Sequence, residues 1–319
     1  MKTNLKLGGI NYEVVPDSFA TLIVGYDVAH PGKPTRDEVM NKMPPQKPSV
    51  VGISFNGAVH PEGFIDVFTK NRRVWPESVI ITRDGVSEGQ YRMVIEDELS
   101  AIKEACCEFG ALHGKESWEP KFTVIVTTKR HNARFVVDGE RLENPKPATI
   151  VDTEVVRKDL TEFYMQSHKP IKVSCFLLLL VIFLPVTHGS FSTISVGQIV
   201  INFLFTSVMS LNYGTAKPTA YQVIVDENEM SMDETQALLL ALAFHHQVAE
   251  LPISLPEPVY QADEWAKRGK NLWNAYSVRH NFILKKERGK YANYPIDFEA
   301  MTGRLAFWYT KLQDRRMNA

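Results

Sequence analysis

The stretch TLIVGYDVAHP, residues 21–31, predicts the centre of the fold. Its apolar, β-branched run is typical of a buried strand in a sheet that helices cover. The strand reaches an acid at Asp27 and is stopped by Pro31. A second buried strand, SVIIT at 78–82, runs in the same way into Asp84 and a turn at Gly85. Both aspartates are therefore expected at strand ends.

The rest of the chain alternates between strand and helix patterns. Further strands are predicted at SVVGISFNG (49–57), KFTVIVTTKR (121–130) and YQVIVDE (221–227), and GFIDVF (63–68) also fits a short strand. Helices are predicted at 87–112, 235–250 and 261–276, the first two after capping boxes at Ser87/Gln90 and Ser231/Glu234. This alternation indicates an α/β fold, a mixed sheet with helices on both faces.

Composition excludes little. The formal net charge of −1 over 319 residues provides no global attraction for polyanions, so an anionic partner would need local basic clusters. Three cysteines without metal or redox spacing suit a reducing compartment. The N-terminal MKTNLKLGGINY lacks the apolar core of a signal peptide.

Three acids and one basic cluster are candidates for chemistry. Ligand sites in open α/β sheets lie at strand ends, so Asp27 and Asp84 on neighbouring strands could share a divalent metal. The alternative is that each aspartate only begins a turn. Asp263, in the first turn of its predicted helix, is by itself a dipole-favoured acid. The segment TTKRHNAR (127–134) suits either phosphate contacts or a solvated loop.

Seven motifs in a fixed order are more specific than any of these residues alone. They are GYDVAHP, TRDGVSEGQY, TTKRHNARF, NPKPATIVD, EFYMQSH, GTAKPTAYQV and SLPEPVYQADEWAKRG. In this order the chain resembles the PIWI domain of Argonaute proteins, and its motif sequences are most similar to those of the nematode-specific branch. The resemblance implies an RNase H-like fold that holds a small guide RNA and, in active members, cuts the paired target RNA with Mg²⁺. It also implies a cytoplasmic or nuclear protein.

The resemblance assigns roles residue by residue. Asp27 and Asp84 match the two metal-binding aspartates, and Asp263 matches the fourth member of the catalytic tetrad, which is His or Asp in active relatives. The residues that match guide-backbone contacts are Lys129, Arg130 and Arg134. Those that match the pocket for the guide 5′ phosphate are Lys2, Lys6, Arg268, Tyr260 and Ser254. Residues 1–20 then correspond to the end of the MID domain and 21–319 to the PIWI domain, without the N-terminal and PAZ domains or most of MID.

Two departures from the family pattern stand out. Relatives carry an additional helix, with the tetrad glutamate, at the position where Ile65 here joins Asp66 directly, and no acid in 62–77 matches that glutamate. At 173–211 a charge-free stretch separates EFYMQSH from GTAKPTAYQV. We interpret it as an insertion foreign to the domain, because it interrupts a motif that is otherwise continuous in relatives. Its apolar runs are short or interrupted by polar residues, which argues against a membrane-spanning helix.

The sequence therefore predicts a guide-RNA-binding module in gene silencing that does not cleave as written. One alternative is an active Mg²⁺-dependent endoribonuclease, since three of the four tetrad acids are present. Another is a membrane-associated protein anchored by 173–211, although no membrane is expected.

Overall fold

The structure is a computed structural model that describes a large part of the chain. The described residues are 1–7, 9–12, 18, 20–33, 36–40, 47–56, 64–116, 118–137, 143–170, 215–279, 286–287 and 290–291. The predicted insertion at 173–211 lies outside them.

Within these residues seven strands form one mixed sheet. In chain order they are β1 (Thr21–Ala29), β2 (Val50–Phe55), β3 (Ser78–Asp84), β4 (Lys121–Thr128), β5 (Thr149–Val151), β6 (Thr161–Gln166) and β7 (Thr219–Asp226). Their order across the sheet is β2-β1-β3-β4-β7-β6-β5. The three central strands β1, β3 and β4 are parallel, and the flanking pairs are antiparallel. Two short strands, β8 (Lys286–Glu287) and β9 (Lys290–Tyr291), pair separately.

The helices lie on both faces of the sheet, as predicted. Their bounds are α1 (Lys2–Lys6), α2 (Arg36–Met40), α3 (Phe64–Arg72), a 3-10 turn (Glu88–Gln90), α4 (Tyr91–Met93), a π-helical turn (Val94–Leu99), α5 (Ser100–Leu112), α6 (Met232–Phe244) and α7 (Glu257–Arg279). Both predicted capping boxes are present, at Ser87/Gln90 and at Ser231/Glu234. They supply acceptors to backbone N–H groups that a helix start leaves without partners.

The first core lies under α3, the π-helical turn and α5. Leu22, Val79, Ile81 and Val124 point to this face from the central strands and meet Phe68 of α3. The second core lies on the opposite face, where Ile80, Ile125, Phe163 and Tyr221 pack with Leu239 of α6. Side chains of a strand alternate between faces, so β3 and β4 supply both cores.

Helix α7 covers β1 and β2 on the second face at very short range. A methyl group on Gly25 would overlap the Pro258 backbone, and one on Gly52 would overlap the Ala262 carbonyl oxygen. Ser54 of β2 donates a hydrogen bond to the Pro258 carbonyl at 2.6 Å. These contacts fix where the first turns of α7 lie on the sheet.

Three local predictions are wrong. The helix predicted at 235–250 ends at Phe244, with His245 as its C-cap. In the segment GFIDVF, residues 64–68 belong to helix α3 rather than to a strand. Ile65 and Phe68 share one face of this helix, and Lys70 pairs with Asp66 at the i,i+4 spacing, 2.5 Å apart. Asp263 lies in the second turn of its helix rather than the first, because α7 begins earlier, at Glu257. Proline is tolerated in the first turn of a helix, so Pro258 does not delay its start.

We expect Gly52→Ala to destabilise the fold, because the added methyl group pushes α7 away from β2. Overpacking of this kind costs about 1–3 kcal/mol, measured as the free energy of unfolding in urea. Gly89→Ala is the matched control, since a methyl group at Gly89 meets nothing within 4 Å. Equal stability of the two variants would contradict the close approach of α7.

Candidate active site at the carboxyl edge of the sheet

Asp27 and Asp84 lie side by side where two parallel strands end. Tyr26 of β1 pairs in register with Arg83 of β3, and each aspartate is the next residue on its strand. Both side chains therefore point to the face that α7 covers. Gly85 turns the chain with φ +77°, and a methyl group on it would lie 3.3 Å from Asp27 Oδ1. The turn after β3 thus lies directly against the Asp27 carboxylate.

Asp263 is brought to the same edge by α7. Gly52, which contacts the Ala262 carbonyl, is also the register partner of Asp27 on β2. The charge of Asp263 acts on both Asp27 and Asp84 and raises the pKa of each. The three predicted acids therefore converge on one edge of the sheet, although their catalytic and metal-binding roles remain predictions.

Burial and mutual repulsion disfavour the charged form of this cluster. Burial, followed by the charges of Asp27 and Asp263, raises the pKa of Asp84 to about 6, against the lowering effects of a backbone hydrogen bond and Arg130. Burial likewise raises the pKa of Asp27, which is 9% exposed. A cation placed between these carboxylates would relieve both effects.

The acids fit one Mg²⁺ better than two. Mg²⁺ commonly takes one or two carboxylates, with water and phosphate completing its shell, so Asp27 and Asp84 are suitable ligands. Asp263 is engaged elsewhere, since its Oδ2 accepts from Lys267 Nζ at 2.5 Å. Among the described residues, no group of three or more Asp, Glu, His or Cys side chains is arranged to hold a metal ion.

The tetrad glutamate has no counterpart in the described part of this edge. Asp66, the acid nearest the unusual Ile65–Asp66 junction, lies on α3 and pairs with Lys70. The junction itself falls within the continuous helix α3. That a family helix is missing at this point remains a prediction.

Cations border the acids at the end of β4. Arg130 lies close enough to lower the pKa of both Asp27 and Asp84. Lys129 donates a hydrogen bond to Ser254 Oγ. Burial and the charge of Lys217 lower the pKa of Lys129, while Asp84 raises it. The predicted guide-contacting residues Lys129 and Arg130 therefore adjoin the acid cluster.

Arg134 is exposed and folds back on its own loop, donating to the Ala133 carbonyl at 2.6 Å and the His131 carbonyl at 3.1 Å. Lys217 was not among the predicted contacts, although it belongs to the quoted motif GTAKPTAYQV. Its charge acts on Lys129 and His131. Lys129, Arg130 and Lys217 therefore form a group of cations beside the acids, which we call the basic border.

The five residues predicted for the 5′-phosphate pocket lie on α1, on α7 and in the segment before α7. Lys2 and Lys6 are exposed on α1, whereas Arg268 lies over the Trp265 ring on α7, 5.6 Å from its centroid. Ser254 instead joins the guide-backbone set through Lys129.

Tyr260 connects α7 to the N-terminal segment through His246. The two rings meet edge to face, with centroids 4.8 Å apart. The Tyr12 hydroxyl lies 2.8 Å from the His246 carbonyl oxygen, and Asn11 Nδ2 donates to the Gln247 carbonyl at 2.8 Å. These contacts place residues 11–12 beside the start of α7, while the pocket itself remains a prediction.

Comparison with known proteins identifies the family. The Piwi domain model matches residues 62–174 and 201–274, more than half of the chain. The chain belongs to the Argonaute/Piwi family. The matched ranges omit 175–200, which falls inside the predicted insertion at 173–211, and the domain limits remain a prediction.

Two curated relatives show how much of an Argonaute this chain spans. Argonaute protein wago-1 of Caenorhabditis elegans is 26% identical over 351 residues, which cover 100% of this chain and 31% of that protein. Protein argonaute of Schizosaccharomyces pombe is 30% identical over 291 residues, which cover 82% of this chain and 29% of that protein. The chain thus spans less than a third of either relative. The match to this C. elegans protein agrees with the similarity of the motifs to the nematode-specific branch.

Solved Argonaute structures confirm the predicted RNase H-like fold. The structure of Kluyveromyces polysporus Argonaute with a guide RNA aligns with a TM-score of 0.62 at 20% identity, covering 88% of this chain and 31% of that one. The C-terminal lobe of a budding yeast Argonaute aligns with a TM-score of 0.60 at 19% identity, covering 84% and 51%. In the described residues, none of the helices is long and apolar enough to cross a membrane.

We expect Asp84→Asn to stabilise the chain at neutral pH. Asp84 has a raised folded-state pKa of about 6, so the folded state holds its proton more tightly than the unfolded state. Its contribution to stability is therefore greatest below the usual aspartate pKa and falls as the pH rises through 6. The variant should exceed the parent at pH 7 by on the order of 2 kcal/mol, and this difference should shrink towards pH 4.

The measurement is urea unfolding of both proteins at several pH values between these limits. Asp97→Asn, the same change at an exposed position of the π-helical turn, is the matched control. A difference for Asp84→Asn that stays constant across the pH range would contradict the electrostatic account.

Proposed function

We propose that this chain is a guide-RNA-binding module of an Argonaute protein that acts in RNA-mediated gene silencing. The observation that carries the proposal is the position of Lys129 and Arg130 beside the carboxylates at the end of the parallel strands. We call the edge of the sheet that carries Asp27, Asp84 and Asp263 the acid edge. Cations in this position can hold the phosphates of a nucleic-acid strand whose backbone passes the acid edge. The partners are then a small guide RNA and its complementary target, in the cytoplasm or nucleus.

Each part of this edge suits a different part of the nucleic acid. Arg130 is exposed and free to meet a phosphate, whereas Lys129 is half-buried and held by Ser254. Phosphate contacts supply most of the affinity but carry no sequence information, so target choice would rest on base pairing with the guide. The structural likeness to an Argonaute that carries a guide RNA supports this reading.

A further part of the proposal is the predicted pocket for the guide 5′ phosphate, formed by Lys2, Lys6, Arg268, Tyr260 and Ser254. Several cations and donors must converge on a buried phosphate. The contacts of Tyr12 and Asn11 with residues 244–249 support it, since they hold the N-terminal segment beside the start of α7. Guide binding would then draw the exposed lysines of α1 towards Arg268.

We further propose that Asp27 and Asp84 hold one divalent cation, with Mg²⁺ as the natural ion. When bound, Mg²⁺ would supply the positive charge that neutralises a phosphate oxygen near the two aspartates. Arg130 and Lys129 would keep the RNA backbone close to the two aspartates. The turn at Gly85 lies against the Asp27 carboxylate and limits how far it can move.

The chain as written is proposed to bind its target without cutting it. Two-metal hydrolysis requires enough carboxylates to hold both ions and to orient the attacking water. Among the described residues, no glutamate joins Asp27, Asp84 and Asp263 to complete the set of four acids. The loss of one well-oriented catalytic group costs about 10²–10⁴ in rate, so cleavage should be slowed by at least this factor.

Guide-loaded chain should therefore bind a complementary target RNA and leave it intact in Mg²⁺. The measurement is a single-turnover cleavage assay with the purified 319-residue chain. Asp84→Ala is the matched control, because it removes one of the two proposed metal ligands. Product above that control, cut opposite the middle of the guide, would establish the active-endoribonuclease alternative instead.

The basic border should make RNA binding depend on salt. Arg130→Ala is expected to weaken binding of RNAs of different sequence to a similar degree and to lower the slope of log K against log salt by about one. The control is Lys121→Ala, an exposed cation at the opposite end of the same strand β4. Equal weakening of RNA binding by both substitutions would contradict the proposal that the RNA phosphates lie beside the acid edge.

A further inference from the structure

Arg83 is a buried cation that is held in place by a two-point contact with an acid. It is 3% exposed and lies on the face of β3 opposite to Asp84, within the first core. Arginine is rarely buried this deeply unless it is paired. Its Nε donates to Glu98 Oε2 and its Nη2 donates to Glu98 Oε1, each at 3.2 Å. This two-point contact fixes both the position and the plane of the guanidinium group.

Glu98 is in turn held by Tyr26. The Tyr26 hydroxyl donates to Glu98 Oε2 at 2.5 Å, and the Arg83 guanidinium carbon lies 4.9 Å from the centre of the Tyr26 ring. A guanidinium over an aromatic face gains further attraction from the ring. Tyr26 therefore contacts both members of the Arg83–Glu98 pair.

The helix that carries Glu98 departs from α geometry at this place. Val94–Leu99 forms a π-helical turn between α4 and α5, while the neighbouring turns are regular. Such single π turns are frequent at functional sites. Here the wider turn presents Glu98 to Arg83 while Val94 and Leu99 remain buried in the core.

The remaining nitrogen of Arg83 reaches the acid edge. Nη1 donates to the Asp84 backbone carbonyl at 2.5 Å and lies 3.9 Å from Asp27 Oδ1. The guanidinium group thus contacts the end of β3 and the Asp27 carboxylate at once. Lys267, the cation beside Asp263, differs because its side chain is 55% exposed, and such intrahelical pairs are weak.

We propose that Arg83 is a positioning residue for the acid edge. Its guanidinium group is locked by Glu98 and Tyr26, so that Nη1 hydrogen-bonds the end of β3 and places positive charge 3.9 Å from Asp27 Oδ1. This keeps both in the arrangement that would bind a divalent cation. The inference rests on the proposed cation site at Asp27 and Asp84, and it assigns a role to three residues that lie outside that site. It requires the two-pronged geometry of arginine, since a lysine would keep the charge but reach fewer partners.

The test is the affinity of the full chain for Mn²⁺ in the absence of RNA, measured by electron paramagnetic resonance of the free ion. Arg83→Lys should weaken Mn²⁺ binding by about 10- to 100-fold, the usual effect of losing a group that orients a metal ligand. Tyr26→Phe should weaken it less, because it removes one hydrogen bond and keeps the ring. Tyr91→Phe is the matched control, a tyrosine packed on the same core.

Two further measurements separate positioning from general damage. Circular dichroism and urea unfolding report whether each variant folds, and Tyr26→Phe, the smaller change, still tests the inference if Arg83→Lys does not fold. Guide-RNA affinity at the basic border should be the same in Arg83→Lys, Tyr26→Phe and the parent. A parallel loss of Mn²⁺ and RNA affinity would mean a merely structural role and would overturn the inference.

The outcomes also distinguish this inference from the proposed function. If the parent binds Mn²⁺, Asp84→Asn abolishes binding and Arg83→Lys leaves it unchanged, only the role of Arg83 is overturned. If the parent does not bind Mn²⁺ at all, the cation site proposed at Asp27 and Asp84 fails, and the role of Arg83 fails with it.

Discussion

Helix α7 touches β1 and β2 at two glycines, and this close approach determines where Asp263 stands relative to Asp27. Because Gly25 and Gly52 have no side chains, the backbone of α7 rests on the backbone of the sheet. Any side chain at either position would lift the helix and separate the third acid from the other two. The same contact buries Val259, Ala262 and Ala266, so the site and part of the core share one interface.

The acid edge is a compromise between repulsion and neutralisation. Three carboxylates meet at this edge, and burial together with the neighbouring charges disfavours the charged forms of Asp27 and Asp84. Arg130 approaches from the end of β4, Lys267 from α7 and Arg83 from beneath the sheet. These cations differ in freedom, since Arg130 and Lys267 are exposed while Arg83 is enclosed. The enclosed cation can shape the site, and the exposed ones can exchange partners with a phosphate.

Much of the fold could be predicted because its central strands are buried on both faces. Apolar, β-branched runs at 21–29 and 78–84 have few alternatives, and parallel strands bring their carboxyl ends to one edge. The predicted strand at 63–68 failed because a short apolar run fits either period, and the Asp66–Lys70 pair is the local sign of a helix. Arg83 was missed as a separate feature because its partner Glu98 is 15 residues away, and Tyr26 is 72 residues from Glu98. Such contacts exist only after the sheet and its covering helix have formed.

The wide spacing of the acids along the chain has a consequence for synthesis. Asp27 and Asp84 lie in the first third of the sequence, and Asp263 follows only after every strand of the large sheet. Domains tend to fold as units while the ribosome extends the chain. A nascent chain that ends before α7 therefore exposes the glycine-bearing face of β1 and β2 and carries an incomplete edge. The three-acid edge is completed by one of the last described elements to emerge, after the whole large sheet has been synthesised.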